Sequence, residues 1–84
     1  MKIIFTKKAW ADYTYWKGEN IKISKRIDRL IDDICRHPFD GLGKPEALRY
    51  ELSGFWSRRI DDVHRLIYSA TEDTVLIVAC RYHY

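Results

Sequence analysis

The stretch VLIVA (Val75–Ala79) decides the fold of this 84-residue chain. Five consecutive apolar residues, most of them β-branched, are typical of a strand that is buried on both faces and therefore lies inside a sheet. The stretch runs on into CRYHY (Cys80–Tyr84), so it predicts a final strand over Thr74–Tyr82. That strand would join an imidazole and two phenols to the most rigid part of the domain. Histidine suits proton transfer near neutral pH.

Upstream of this stretch the apolar residues recur with a period of two, which is typical of strands exposed on one side. Short turn sequences separate the segments at positions 53–54, 61–62 and 72–73. Successive hairpins make consecutive strands antiparallel neighbours. The four predicted strands of this half are Ala47–Leu52, Phe55–Asp61, Val63–Ala70 and Thr74–Tyr82.

The first half of the chain predicts a short strand, Lys2–Phe5, followed by two helices. The first is expected over Lys7–Lys17, with Thr6 as its N-cap and Gly18 as its C-cap. The second is capped by Asn20, shows apolar residues at three- and four-residue steps, and ends before Pro38. The prediction is therefore one α+β domain over 1–84 with the order β-α-α-β-β-β-β. The helix hairpin covers one face of a mostly antiparallel twisted sheet and leaves the other face free.

Composition narrows the function classes. The net charge of +3 permits an anionic partner without demanding one. Cys35 and Cys80 are isolated in apolar segments, which favours reduced buried thiols in a cytoplasmic protein. A single disulfide between them is the alternative. The apolar stretch Ile3–Phe5 is too short for a signal peptide or a membrane span. The three histidines lack ligand spacing with the cysteines, so neither a metal nor another cofactor is predicted.

The residues that could carry chemistry are a carboxylate, Glu46, a guanidinium, Arg65, and the terminal pair His83 and Tyr84. Metal-free cleavage of RNA needs a base for the 2′-hydroxyl, a cation for the charged phosphorus and an acid for the leaving oxygen. Basic residues surround these candidates: Lys44, Arg49, Arg58 and Arg59. Each residue also has a structural interpretation: Glu46 as a solvated loop residue and Arg65 as a paired one.

Other residues are weaker candidates for the same chemistry. Arg58 and Arg59 point to opposite sides of their strand, so at most one of them serves a given site. His64, at a strand start, is expected to be a surface histidine. The aromatic residues of the first helix have helical spacing and are expected in the core. Tyr82 should face away from His83 and serve packing.

Five blocks of the sequence resemble the YoeB-type toxins of the RelE/ParE superfamily. These blocks are PFDG (38–41), GKPE (43–46), LSGFWSRRI (52–60), HRLIY (64–68) and CRYHY (80–84). The resemblance covers the whole chain. It implies a RelE-like fold and a ribosome-dependent endoribonuclease that cuts mRNA in the A site of the 70S ribosome and stops translation. It also implies a homodimer, inhibition by a YefM-type antitoxin, and contact with operator DNA only through the antitoxin complex.

The resemblance also implies roles for individual residues. Glu46 would be the general base, Arg65 would stabilise the phosphate charge, His83 would be the general acid, and Tyr84 would place the scissile nucleotide. The expected RNA contacts are Lys44, Arg49, Arg58 and Arg59.

The sequence also allows two alternatives to the ribonuclease, both of them binding proteins without catalytic activity. The ParE branch of the superfamily shares this fold and acts by binding DNA gyrase, without cleaving RNA. A plain single-stranded RNA-binding protein could use Trp56 and the arginines, with strong salt dependence and no product.

Overall fold

A computed structural model of the protein describes residues 1–82, so the predictions made for His83 and Tyr84 lie outside the described residues. The order of elements confirms the predicted β-α-α-β-β-β-β arrangement. Its elements are β1 (Lys2–Phe5), α1 (Lys7–Glu19), α2 (Ile21–Arg36), β2 (Glu46–Ala47), a 3₁₀ turn (Tyr50–Leu52), β3 (Trp56–Arg59), β4 (Arg65–Ala70) and β5 (Thr74–Ala79).

The five strands form one sheet in the order β1-β5-β4-β3-β2. β5, which contains the whole apolar stretch Val75–Ala79, lies between β1 and β4, as its two apolar faces predict. β2 to β5 are successive antiparallel neighbours. β1 pairs in parallel with β5, with Lys2 opposite Thr74. The sheet is therefore mostly antiparallel, with a single parallel pair at one edge.

A single residue, Asn20, forms the turn between the two helices. Its backbone N–H donates to the Trp16 carbonyl at 2.9 Å and closes α1, while its side chain accepts from the N–H groups of Lys22 and Ile23 and opens α2. The prediction that α1 ends at Lys17 with Gly18 as cap is wrong. α1 runs to Glu19, because the extended backbone at Asn20, with φ −155° and ψ 98°, is what interrupts the helix.

The core lies between the helix hairpin and one face of the sheet. The apolar stripe of α2 packs on side chains that alternate along β4 and β5. The fully buried members of this core are Ala9, Ile27, Leu30, Ile34, Leu66, Tyr68, Val75, Ile77 and Cys80. Cys35 is half-buried, and both cysteines are free thiols. Within residues 1–82, no helix is long and apolar enough to cross a membrane.

Four strands are shorter than predicted. The segment expected as Ala47–Leu52 is a strand only at Glu46–Ala47, because Tyr50 adopts a left-handed backbone with φ 59° and a 3₁₀ turn follows. β3 and β4 lose residues to the turn between them. β5 ends at Ala79, since the next N–H, that of Cys80, donates to a side chain of α1 and leaves the ladder.

Candidate functional site

The strand register places three predicted site residues on one face of the sheet. Glu46 lies opposite Ser57, and Arg59 lies opposite Arg65. Ser57 and Arg59 are two residues apart on β3, so their side chains project to the same side. Since Arg58 on the same strand faces the helices, Glu46, Arg59 and Arg65 share the opposite face, which we call the open face. No helix of residues 1–82 packs on it.

The sheet geometry brings these three residues within reach of one small ligand. Adjacent strands lie about 4.8 Å apart and two residues span about 6.7 Å along a strand. Glu46 and Arg65 are two strands and two residues apart, so their Cα atoms are separated by about 12 Å. The centre of the face is covered, because Ser57 and Ile67 are only 6% and 5% exposed. The charged residues therefore surround a buried centre.

The electrostatics of the open face are unbalanced. Arg59 and Arg65 are direct cross-strand partners, and like charges in that position are destabilising. Among the described residues neither guanidinium has a carboxylate within 4.0 Å. Arg65 instead donates from Nη1 to the carbonyls of Asp61 at 2.7 Å and of His64 at 3.0 Å. These bonds orient its guanidinium without neutralising it, which leaves a positive charge available for an anion.

Arg58 does not belong to this face, and its predicted role as an RNA contact is wrong. The side chain is fully buried on the helix side of β3, and all five of its N–H donors are used. Nε donates to the Tyr68 hydroxyl at 3.1 Å, and Nη1 donates to the Asp33 carboxylate at 2.5 Å. The remaining acceptors are the backbone carbonyls of His37, Asp40 and Leu42.

This buried guanidinium fixes the loop that leads to Glu46. The three carbonyls that it binds belong to positions 37–42, just after α2. Further along, the Gly43 carbonyl accepts from the Arg59 N–H at 2.7 Å. A Cβ at Gly43 would come within 3.0 Å of the Arg59 carbonyl, so only glycine fits this approach. Lys44 and Glu46 follow directly, and both are exposed at the rim of the open face.

Asp33 and Tyr68 titrate abnormally because of this cluster. The Leu42 backbone N–H and the Arg58 guanidinium both bind the Asp33 carboxylate and lower its pKa. Burial raises the pKa of the Tyr68 hydroxyl, which donates to the Pro38 carbonyl at 2.6 Å. Asp33 is the counter-ion of Arg58.

The segment that precedes His83 is tied to the start of β4. The Tyr82 N–H donates to His64 Nδ1 at 2.6 Å, and the Tyr82 carbonyl accepts from the Arg65 N–H at 2.9 Å. His64 is therefore a half-buried acceptor, which corrects its prediction as a plain surface histidine. Tyr82 was expected to serve packing, but it is 54% exposed and has a left-handed backbone with φ 62°.

α1 holds the end of β5 through side chains that sequence reasoning did not single out. The Asp12 carboxylate accepts from the Cys80 N–H at 3.0 Å, and Trp16 Nε1 donates to the Cys80 carbonyl at 2.8 Å. The Arg81 guanidinium lies 3.5 Å from the centre of the Tyr15 ring. An acidic residue four positions before a core tryptophan was a signal for Asp12, because both side chains then lie on the buried face of the helix.

Two tryptophans, Trp56 and Trp10, lie away from the open face. Trp56 lies on the helix side of β3 and packs against Phe39 at 4.9 Å between ring centres. This position argues against Trp56 as a stacking platform on the open face. Trp10, expected in the core, is 53% exposed and packs at the edge against Phe5 and Tyr13.

These features define a small α+β domain with a free cationic sheet face that carries a carboxylate at its rim. A sequence profile of the "YoeB-like toxin of bacterial type II toxin-antitoxin system" matches residues 5–84. The chain belongs to this family. Toxin YoeB of Streptomyces coelicolor is 57% identical over 84 residues, which are 100% of both chains.

Solved structures agree with this assignment. A YoeB dimer from Staphylococcus aureus has a TM-score of 0.94 and 39% identity, covering 100% of this chain and 98% of that one. A YoeB–YefM complex from the same organism has a TM-score of 0.92 and 40% identity, with the same coverage. The predicted family and the predicted RelE-like fold are confirmed.

Proposed function

We propose that this toxin is a ribosome-dependent endoribonuclease that cleaves mRNA in the ribosomal A site and thereby inhibits translation. The observation that carries the proposal is the Arg59–Arg65 pair on the open face, which has no carboxylate partner among residues 1–82, with Glu46 at the rim and the anchored Tyr82 beside Arg65. An anion between these guanidinium groups would relieve their repulsion. A phosphodiester of RNA is such an anion, and its 2′-hydroxyl supplies the nucleophile.

The reaction we propose is a transesterification within the RNA. Glu46 takes the proton of the 2′-hydroxyl, whose oxygen attacks the adjacent phosphorus. The P–O5′ bond breaks, and His83 gives a proton to the leaving oxygen. The products are a 2′,3′-cyclic phosphate and a 5′-hydroxyl end. Arg65 stabilises the charge that develops on the phosphoryl oxygens, because its guanidinium is already oriented by the Asp61 and His64 carbonyls.

The remaining cations would hold the RNA chain rather than react. Lys44, Arg49 and Arg59 are all exposed, and Lys44 and Arg59 flank the acidic residue at the rim. Phosphate contacts of this kind add affinity that falls with salt concentration. Tyr84 would place the scissile nucleotide. The roles need only an ionised carboxylate, guanidinium groups and a protonated imidazole, so the proposed enzyme works without a metal ion.

We further propose that this chain forms a homodimer and is inhibited by a YefM-type antitoxin, with operator DNA bound only through the toxin–antitoxin complex. The support is the similarity to the Staphylococcus aureus proteins whose structures are a YoeB dimer and a YoeB–YefM complex. Co-purification of the chain with an antitoxin expressed beside it, and sedimentation of the toxin alone, would test both assemblies.

The central test exposes translating ribosomes to the purified protein and maps the RNA ends. We expect cuts at the A-site codon, and a loss of cleavage of about 10²–10⁴-fold for Glu46→Gln or His83→Ala, as is typical of general acid–base groups. Glu72→Gln and His37→Ala are matched controls, because both residues are exposed and distant from the open face. Full cleavage by the Glu46→Gln and His83→Ala variants would refute the assigned roles.

Ribosome dependence has its own test. The same protein should leave naked mRNA almost intact at concentrations that cut mRNA on programmed ribosomes. An equal rate on both substrates would remove the ribosome from the proposal. Intact mRNA together with inhibited DNA gyrase would replace the nuclease with a ParE-like binding toxin.

A further inference from the structure

We infer that His64 is a positioning residue that fixes the last residues of the chain for the reaction, an inference that rests on the proposed function. His64 is the residue before Arg65 and is not itself on the open face. Its Nδ1 accepts the Tyr82 N–H at 2.6 Å. Its role is to hold Tyr82, the residue that carries the peptide bond to the proposed general acid, His83.

Two adjacent residues hold both polar groups of the Tyr82 backbone. His64 binds the N–H through its side chain, and Arg65 binds the carbonyl through its own N–H at 2.9 Å. The carbonyl carbon of Tyr82 carries the peptide bond to His83. That bond therefore starts next to the residue that we propose binds the phosphate.

The backbone of Tyr82 needs this support. Its φ of 62° lies in the left-handed region, which a bulky side chain rarely adopts. Such conformations persist where surrounding contacts impose them. The bonds from His64 and Arg65 are the contacts that impose it here, and the turn they hold redirects the chain after β5.

His64 is itself rigidly placed. Its N–H donates to Asp61 Oδ1 at 2.6 Å, and its carbonyl accepts from the Ile60 N–H at 3.0 Å. Its ring lies edge-on to Trp16 at 4.7 Å and packs on the Tyr82 ring at 5.4 Å between centres. A nitrogen that accepts a hydrogen bond carries no proton, so the bond requires the neutral Nε2–H tautomer. The ring is thus held to act as an acceptor.

Two substitutions distinguish the role of the hydrogen-bond acceptor of His64 from the role of its aromatic ring. His64→Phe keeps an aromatic ring against Trp16 but has no acceptor. His64→Asn loses the ring but keeps an oxygen at the position of Nδ1. If His64 serves only packing, His64→Asn should have the lower kcat of the two variants. If His64 positions Tyr82, His64→Phe should have the lower kcat.

The kinetic test measures kcat and KM for mRNA cleavage on programmed ribosomes. We expect His64→Phe to lower kcat by about 10²-fold, the loss that a misplacement of about 1 Å can cause, with KM nearly unchanged because no substrate contact is removed. His64→Asn should restore most of kcat. Equal values for the two variants, or a wild-type kcat for His64→Phe, would overturn the inference.

A second readout does not depend on activity. Hydrogen exchange at the Tyr82 amide should be slow in the wild type and in His64→Asn and fast in His64→Phe, at matched thermal stability. Slow exchange in His64→Phe would contradict the inference even if its kcat fell. If the wild type cuts no mRNA, the proposed function fails, and the exchange data still decide whether His64 holds Tyr82.

Discussion

Replacement of the buried Arg58 by methionine tests the structural centre of the molecule. The substitution keeps an unbranched side chain in place but removes every donor. Asp33 then loses its counter-ion, and the Tyr68 hydroxyl and three loop carbonyls lose a partner. Removing one member of a buried ion pair costs about 3–5 kcal/mol. A domain of this size is stable by only about 4–13 kcal/mol, so the variant should lose about a quarter of its stability or more.

Urea denaturation followed by circular dichroism measures this loss. We expect a lower midpoint for Arg58→Met, and a melting temperature at least about 12 °C lower, since 1 kcal/mol shifts a small domain by about 4–8 °C. The neighbouring Arg59→Met is the matched control. Its side chain is exposed, so its free energy of unfolding should stay within about 0.5 kcal/mol of the wild type. An Arg58→Met variant within about 1 kcal/mol of the wild type would refute the reasoning.

Three further predictions concern groups around the core. The Leu42 N–H and a buried guanidinium lower the pKa of Asp33, so its contribution to stability is present above the pKa of an unfolded Asp and is lost as pH falls through the lower folded value. Urea midpoints measured against pH should then fall less steeply in acid for Asp33→Asn; an unchanged slope would contradict this. Trp16→Phe leaves the buried Cys80 carbonyl unpaired and should cost about 1–3 kcal/mol in the same denaturation assay, whereas the exposed Trp10→Phe should cost under about 0.5 kcal/mol. Similar costs for the two would count against the role of the indole N–H. Burial, with the Asp12 charge, raises the pKa of the Cys80 thiol to about 12, so mass spectrometry should find it unlabelled by a thiol reagent until the chain unfolds.

The order and type of the elements could be predicted because each has its own periodicity. The buried apolar residues of α2 recur at helical steps and pack in the core; they are Ile27, Leu30, Ile31 and Ile34. VLIVA is apolar at every position, and β5 is enclosed by β1 and β4. Asn20 could be identified as a cap because its side chain acts on the next three residues. All these signals are local, which is why the sequence alone was enough for them.

The burial of Arg58 on the helix side of β3 could not be predicted from such local signals. Strand alternation separated Arg58 from Arg59 correctly, but it did not say which of the two faces the core. The answer depends on Asp33, which is 25 positions away and looks like part of a solvated helix stripe until the fold places it beside β3. The link between Asp12 and Cys80 spans 68 positions and escaped prediction for the same reason.

The two helices contain none of the predicted site residues, yet each holds one of the two segments of the chain that lead to them. α2 supplies Asp33, whose ion pair with Arg58 anchors the loop before Glu46. α1 supplies the carboxylate and the indole that hold Cys80, just before the end of the chain. The base and the acid of the proposed reaction therefore depend on different helices. Substitutions that destabilise α2 should displace Glu46 first, and substitutions that destabilise α1 should displace the segment before His83 first. Both helices lie on the side of the sheet opposite the open face.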